Sequence, residues 1–313
     1  MNCTAILVNW NAGIQLAEAV ASLARFHQGR VAAAVIVDNA STDDSLVRIA
    51  ALTDLPFPLH VIRNPTNRGF AAACNQGAAR ADADGLLFLN PDTRLFADSL
   101  AVPLAYLQDP AHATIGIAGI QLVDAHDHVA RSCARFPTLA VFIAQAMGAS
   151  RLPGLRRWNT HMTDWSHDRT TNVDHVIGAF YLIRRALFTQ LGGFDERFFM
   201  YLEDLDLSQR AARAGFRCAY LTEARAFHAG GGTSHQVQAR RLFYALRSRL
   251  LYAFKHLPPW QGWVLLTVTL LLEPISRSVS ALCRGNLRAV GHTGQALGLL
   301  YGDLPRILAA RRP

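Results

Sequence analysis

The feature that most constrains this chain is an alternation in its first third. Short apolar runs at residues 4–8, 33–37, 59–62 and 86–89 are separated by stretches of helical periodicity at 14–25, from Asp43 onward and at 69–81. Apolar runs of strand length alternating with helical patterns of about 10–15 residues predict βαβ units on a parallel sheet. The expected fold class is therefore α/β, with a Rossmann-like, mostly parallel central sheet flanked by helices. Each run stops at a polar cluster: Asn9 and Asn11; Asp38, Asn39 and Ser41; Asn67, Gly69, Phe70 and Asn75; and Asn90-Pro91-Asp92. In open α/β sheets, ligands bind at that carboxyl edge.

The chemistry of those clusters narrows the ligand. The first strand-turn, VNWNAG, offers one glycine where a dinucleotide-binding turn wants three, and no Walker A pattern occurs. This disfavours nicotinamide, flavin and P-loop chemistry. Side chains stand in place of the glycines. Asn and Asp can hydrogen-bond a nucleobase and ribose, and the N3–H of a pyrimidine needs an acceptor such as the Asp38 carboxylate. Each residue alone is an ordinary Asx turn or helix cap; three clusters on one edge read as a binding surface. Pro91 ends the ladder and presents Asp92, a carboxylate able to share Mg²⁺ or Mn²⁺ with a diphosphate or, taken alone, to form a turn. Glu203, Asp204 and Asp206 place three acids at a helix start, where one would satisfy the dipole. Their mutual repulsion points to a site, with Asp204 as general base toward an alcohol. A lone histidine is commonly structural, but His228 precedes Gly230-Gly231-Gly232, a loop able to close over phosphate. That makes it a candidate imidazole ligand to the same ion.

The second half is less regular. Strands are predicted at 115–122, 175–184 and 217–221, a helix at 203–215 with Gly215 at its C-cap, and loops over the pocket across 136–171. The net charge of +8 is concentrated in the tail: from residue 236 onward, eleven Lys and Arg face only Glu273 and Asp303. This sets the expected domains at 1–235, nearly neutral, and 236–313, basic and apolar. Residues 240–256 read as a basic amphipathic helix, with Arg241 and Arg247 candidates for a diphosphate. The apolar stretch 260–272, bounded by Pro258-Pro259 and Glu273-Pro274, falls short of the roughly 20 residues of a spanning helix. The tail therefore suits an anionic membrane surface or a lipid phosphate, or packs on the body or a second subunit, so that an oligomer is possible. Nucleic acid is disfavoured, because Tyr244, Tyr252 and Phe254 alternate with leucines rather than forming a stacking platform. Five scattered cysteines with no CxxC pair fit a reducing, cytosolic setting, and the apolar run 5–8 is too short for a signal-peptide core.

The ordered motifs ILVNWNA (6–12), IVDNASTDDS (36–45), NPTNRGFAAACNQG (64–77), LFLNPDT (87–93), VIGAFYLIRR (176–185), GGFDERFFMYLEDLDLSQRAARAGF (192–216) and YLTEARAFHAGGGTS (220–234) resemble the inverting glycosyltransferases of family 2. The likeness is to the bacterial rhamnosyltransferases of surface-polysaccharide assembly in the cell envelope. It implies a GT-A fold and transfer of a sugar, rhamnose from dTDP-rhamnose, to a hydroxyl of a lipid-linked or polysaccharide acceptor at the inner face of the cytoplasmic membrane. It implies that Asp38, with Asn9, Asn11, Asn39 and Ser41, binds the base of a dTDP- or UDP-linked donor. Asn67, Gly69, Phe70 and Asn75 would line the nucleoside and diphosphate, and Gly178 and Ala179 the sugar. Asn90-Pro91-Asp92 stands where many relatives carry Asp-x-Asp, so Asp92 would bind Mn²⁺ or Mg²⁺ with His228 taking more of the load. Asp204 would be the catalytic base, supported by Glu203. Alternatives are another donor, of the UDP-galactose or UDP-N-acetylglucosamine type, and a non-catalytic nucleotide-sugar-binding subunit, in which Asp92, Asp204 and His228 would be replaceable.

Overall fold

Seven consecutive buried side chains make β1 (Cys3–Asn9) a central strand, and Gly13, in the left-handed region, turns the chain into α1 (Ile14–Phe26). The computed structural model describes residues 1–149, 154–230 and 238–310. Next come β2 (Val31–Asp38), α2 (Ser45–Ala50), β3 (Leu59–Arg63), α3 (Phe70–Ala78), β4 (Gly85–Leu89), β5 (Thr93–Leu95), α4 (Ala101–Gln108) and β6 (Ile115–Val123). β7 (Cys133–Ala134), α5 (Leu139–Ala146), β8 (Thr171–Val173), β9 (His175–Val176), β10 (Phe180–Arg184), α6 (Arg185–Gln190), α7 (Glu203–Arg213) and β11 (Arg217–His228) follow, then α8 (Gln238–His256), α9 (Pro259–Thr267), α10 (Glu273–Leu282) and α11 (Leu287–Ala309). The chain divides into two units: Met1–Ala134, Ser166–Glu196 and Asp204–Thr233 form the first, and Arg135–Trp165, Arg197–Glu203 and Ser234–Pro313 the second.

The first unit is an α/β sheet with strand order β3-β2-β1-β4-β10-β6-β11-β5, and β8 pairs with β11. β3, β2, β1 and β4 are parallel, as are β6 and β11, while β10 runs antiparallel between β4 and β6. The small residues of α3 allow close approach to β1: a Cβ on Gly77 would lie 2.5 Å from Ile6. Phe88 of β4 packs against Phe188 and Phe194, with ring centroids 5.3 and 4.8 Å apart. Burial of this kind makes truncation to alanine cost about 3–5 kcal/mol.

Three departures from the sequence reading matter. The stretch expected as one strand at 175–184 is broken into β9 and β10 around Gly178, whose backbone N–H is taken by Asp204. β11 does not stop at 221. It shifts register between Leu221 and Arg225 and continues to His228, held by β6 on one side and β5 on the other; polar Thr222 and Glu223 hide that continuation from an apolar-run reading. Part of 136–171 is the helix α5, capped by Thr138. Its apolar residues are not confined to one face, so periodicity does not flag it.

The second unit is helical. Its two tail acids are each bridged by two arginines, Glu273 by Arg249 and Arg277 and Asp303 by Arg247 and Arg306. Burial pushes the Glu273 carboxyl pKa up, but the Arg249 and Arg277 guanidiniums more than offset this and hold it below its usual range. Arg247, a candidate for a diphosphate, pairs within the unit with Asp303 at 2.6 Å. The apolar stretch does not end at Glu273-Pro274. α9, a π-helical turn at Val268–Leu272 and α10 run on as one 24-residue helix, Pro259–Leu282, the one helix among the described residues long and apolar enough by composition to cross a bilayer. Proline lacks the N–H that would bond the carbonyl four residues earlier. The wider turn accommodates Pro274, and Tyr301 Oη donates to that carbonyl, Leu270 O, at 3.4 Å. Trp260, Leu271, Ile275, Val279 and Leu282 are exposed along this helix.

Candidate active site

The site is assembled at the carboxyl ends of β2, β1 and β4. Register pairs Asn9 with Asp38, and Asn9 Nδ2 stands 2.7 Å from Asp38 Oδ1, 2.8 Å from Ser45 Oγ and 3.0 Å from Ser41 Oγ. Asp38 Oδ2 accepts the Ser41 N–H at 3.2 Å. Asn11, at positive φ, accepts the Thr42 N–H at 2.7 Å and donates its own N–H to Ser41 Oγ. Asn39 donates to Gly69 O and accepts from Asn64, while Asn67 accepts the Gly69 N–H. These residues form one hydrogen-bonded floor beside Phe70, which opens α3. Asn75 does not join it: its amide is bonded in both directions to the Phe194 backbone and reaches Glu196.

The second cluster depends on an antiparallel pairing. After Asn90-Pro91-Asp92 the chain enters β5, whose Thr93 pairs with His228 at the end of β11. Ala229 N donates to Asp92 O, and the His228 Nε2 to Asp92 Oδ1 distance is 3.4 Å. Asn90 N and Thr93 Oγ1 both donate to Ala179 O, and the neighbouring Gly178 N donates to Asp204 Oδ2 at 2.7 Å. Asp92, His228, Gly178, Ala179 and Asp204 are thereby joined through one short backbone network. A Cβ at Gly178 would stand 3.0 Å from Asp204 Oδ2, so a side chain here would push the carboxylate by a few tenths of an ångström.

Asp204 lies in the first turn of α7, where the helix N-terminus favours an anion. Its second oxygen accepts the Leu205 N–H at 2.8 Å. Burial pushes its pKa up, but the adjoining His175 imidazole and the backbone N–H groups of Gly178 and Leu205 outweigh that and hold the carboxyl below its usual range. The three clustered acids have distinct surroundings. Glu203 is buried at the start of α7, Asp204 faces Gly178, and Asp206 pairs with Arg210 at 2.8 Å, whose guanidinium also holds the carbonyls of Leu191 and Gly193.

His175 is the residue the sequence reading missed. It is buried on β9, with Nε2 3.5 Å from Asp204 Oδ2 and Nδ1 2.9 Å from Ser208 Oγ. An imidazole just before a short apolar pair, three residues ahead of a glycine, was the available signal. The loop over phosphate expected at 230–232, beyond Gly230, lies outside the described residues.

The donor set of Asp92 and His228 is one carboxylate and one imidazole. No group of three or more His, Cys, Asp or Glu that could hold a metal occurs among the described residues. Two cis ligands at about 2.1 Å from an octahedral ion stand roughly 3 Å apart, close to the 3.4 Å separation here. The pair fits Mn²⁺ or Mg²⁺ when a diphosphate and water complete the shell.

Residues 2–250 match the family described as glycosyltransferase like family 2, and the chain belongs to this family of glycosyltransferases. Rhamnosyltransferase WbbL of Escherichia coli (strain K12) is 29% identical over 177 residues, 55% of this chain and 62% of that protein, so the matched region spans less than two thirds of that relative. The N-acetylglucosaminyl-diphospho-decaprenol L-rhamnosyltransferase of Mycobacterium tuberculosis is 29% identical over 238 residues, 71% of this chain and 74% of that protein. Among solved structures, the mannosyltransferase PcManGT from Pyrobaculum calidifontis, in complex with GDP-Man and Mn²⁺, aligns over 99% of this chain and 85% of its own at TM-score 0.55 and 19% identity. GalNAc-T7 with UDP, GalNAc and Mn²⁺ aligns over 100% and 58% at TM-score 0.61 and 16% identity. These likenesses place the fold in the GT-A class.

Proposed function

We propose that this chain transfers rhamnose from dTDP-rhamnose to a hydroxyl of a lipid-linked or polysaccharide acceptor, inverting the anomeric centre. The observation that carries the reading is the backbone network joining Asp204 to Asp92 and His228 through Gly178, Ala179 and Asn90 at one sheet edge. The floor of Asn9, Asn11, Asp38, Asn39, Ser41, Asn67, Gly69 and Phe70 would receive the nucleoside, and Asn75 would hold α3 in place behind it. Asp92 and His228 would hold Mn²⁺ or Mg²⁺, which when bound neutralises charge building on the leaving diphosphate. Asp204 takes the acceptor hydroxyl's proton as the oxygen attacks the anomeric carbon opposite the leaving group, with Glu203 supporting the helix start. The C1–O bond to the diphosphate breaks as the new glycosidic bond forms, so no covalent nucleophile is needed. The names of the two curated relatives support rhamnose, and the Mycobacterium name supports a polyprenyl-diphosphate acceptor.

The test offers purified protein dTDP-rhamnose, UDP-galactose and UDP-N-acetylglucosamine with Mn²⁺ or Mg²⁺ and follows nucleotide release. The expected result is release of dTDP above the other nucleotides, lost in Asp204→Asn with donor binding retained. Donor binding without nucleotide release in wild type, and the same binding in Asp204→Asn, Asp92→Asn and His228→Ala, supports the non-catalytic alternative.

The same reading places the protein in the cytoplasm, peripherally on the inner membrane face. Support comes from the basic tail and the helix Pro259–Leu282, on which Trp260 and Ile275 are each 61% exposed. Aromatic and aliphatic groups beside arginines suit an anionic interface. Flotation with phosphatidylglycerol vesicles, and not with phosphatidylcholine, is the expected outcome, reduced by Ile275→Glu.

A further inference from the structure

Behind Asp204 lies a buried chain of polar groups that the proposed reaction does not use. Tyr181 Oη is 3.0 Å from Ser208 Oγ, Ser208 Oγ is 2.9 Å from His175 Nδ1, and His175 Nε2 is 3.5 Å from Asp204 Oδ2. Tyr181, Ser208 and His175 are all buried. The polarity of the chain follows from donor and acceptor capacity. An ionised carboxylate only accepts, so Nε2 carries the proton facing it. In a neutral ring Nδ1 is then the acceptor, Ser208 donates to it, and Tyr181 donates to Ser208.

The carboxylate itself offers four lone-pair sites. On Oδ2, the N–H of Gly178 takes one at 2.7 Å, and His175 Nε2 faces the other at 3.5 Å. On Oδ1, the Leu205 N–H takes one. One lone pair remains, on Oδ1. We infer that His175 is a positioning residue for Asp204: it fixes the carboxylate so that Oδ1 alone is left to receive the acceptor's proton. This rests on the proposed role of Asp204 as base. Substrate binding does not need His175, since the imidazole is sealed behind the carboxylate, so its loss is read in the chemical step. Ser208 and Tyr181 act one step further back, by fixing the ring and its tautomer.

Two measurements test this. Long-range ¹H–¹⁵N NMR of the histidine-labelled full chain reads the tautomer, with the His175 signal assigned by its loss in His175→Gln. A ring protonated at Nε2 is expected, and a ring without a proton there overturns the inference. In the nucleotide-release assay with dTDP-rhamnose and acceptor, His175→Phe is expected to lower kcat about 10- to 100-fold with donor KM unchanged. His175→Gln, whose amide keeps an N–H near the Nε2 position, recovers most of it at the same Tm. Wild-type kcat in His175→Phe, or no recovery in a folded His175→Gln, overturns the inference. Asp204→Asn separates the two ideas: if it keeps full transfer, the reading of Asp204 as base fails, whereas if it loses transfer while His175→Phe does not, only the role of His175 fails.

Discussion

Two aspartate–histidine pairs stand in the first unit at nearly equal spacing, 3.5 Å for Asp204 and His175 and 3.4 Å for Asp92 and His228. Their surroundings differ. Asp204 also receives two backbone N–H groups, and the far nitrogen of His175 is held by Ser208. Among the described residues, the Asp92 carboxylate has only His228 as a side-chain partner, and His228 has only Asp92. The Asp204 carboxylate is held from several sides. A sparse pair keeps its coordinating electrons for a cation. In the proposed reading, the same two residue types would serve as a base in one place and as metal ligands in the other, by what their neighbours donate.

The comparison can be broken most sharply at Asp204. Asp204→Asn is expected to lower transfer about 10³-fold while donor affinity, read by thermal shift, is unchanged. A parallel loss of donor affinity would make Asp204 a binding group like Asp92. Next in size, Asp92→Asn and His228→Ala are each expected to weaken metal binding, read as a shift of the Mn²⁺ activation curve to higher concentration. Chelation should abolish nucleotide release from wild type and leave its melting temperature little changed, because the pair bears no structural load. Gly178→Ala places a methyl against Asp204 Oδ2. Expected are a loss of about 1–3 kcal/mol in stability and a drop in kcat, with metal activation unaffected.

The smallest effect is in pH. Asp204 has its carboxyl pKa held below the ordinary value, so the folded state binds its proton less readily than the unfolded chain. The stability it contributes is complete above the unfolded value, about pH 4. It is lost as pH falls through the folded value. Acid melting curves should therefore flatten in Asp204→Asn relative to wild type. An unchanged acid slope would mean that the His175 and backbone donors do not hold the carboxylate as described.

Much of the hydrogen-bonded floor was legible because its residues follow apolar strands in sequence. Asn9, Asp38 and Asn39 sit at or directly after strand ends, and parallel register then sets the first two side by side. Asn75 looked alike in composition yet is spent on the Phe194 backbone, because a helix residue's partner depends on what packs there. The tail shows the same limit. Its charge excess is plain in the sequence, but the pairing of both tail acids with two arginines each is a matter of helix packing.

The order of strands and helices, the polar carboxyl edge and the candidate acids were determined by the sequence, since periodicity and turn chemistry act over a few neighbouring residues. Tertiary structure alone decided that the strand at 175–184 breaks at Gly178, that β11 runs on to bring His228 beside Asp92, that His175 stands behind Asp204, and that Pro274 sits within a helix. Each of these depends on a partner far away along the chain: a carboxylate, a strand, or a tyrosine hydroxyl. Local propensity carries no record of such partners.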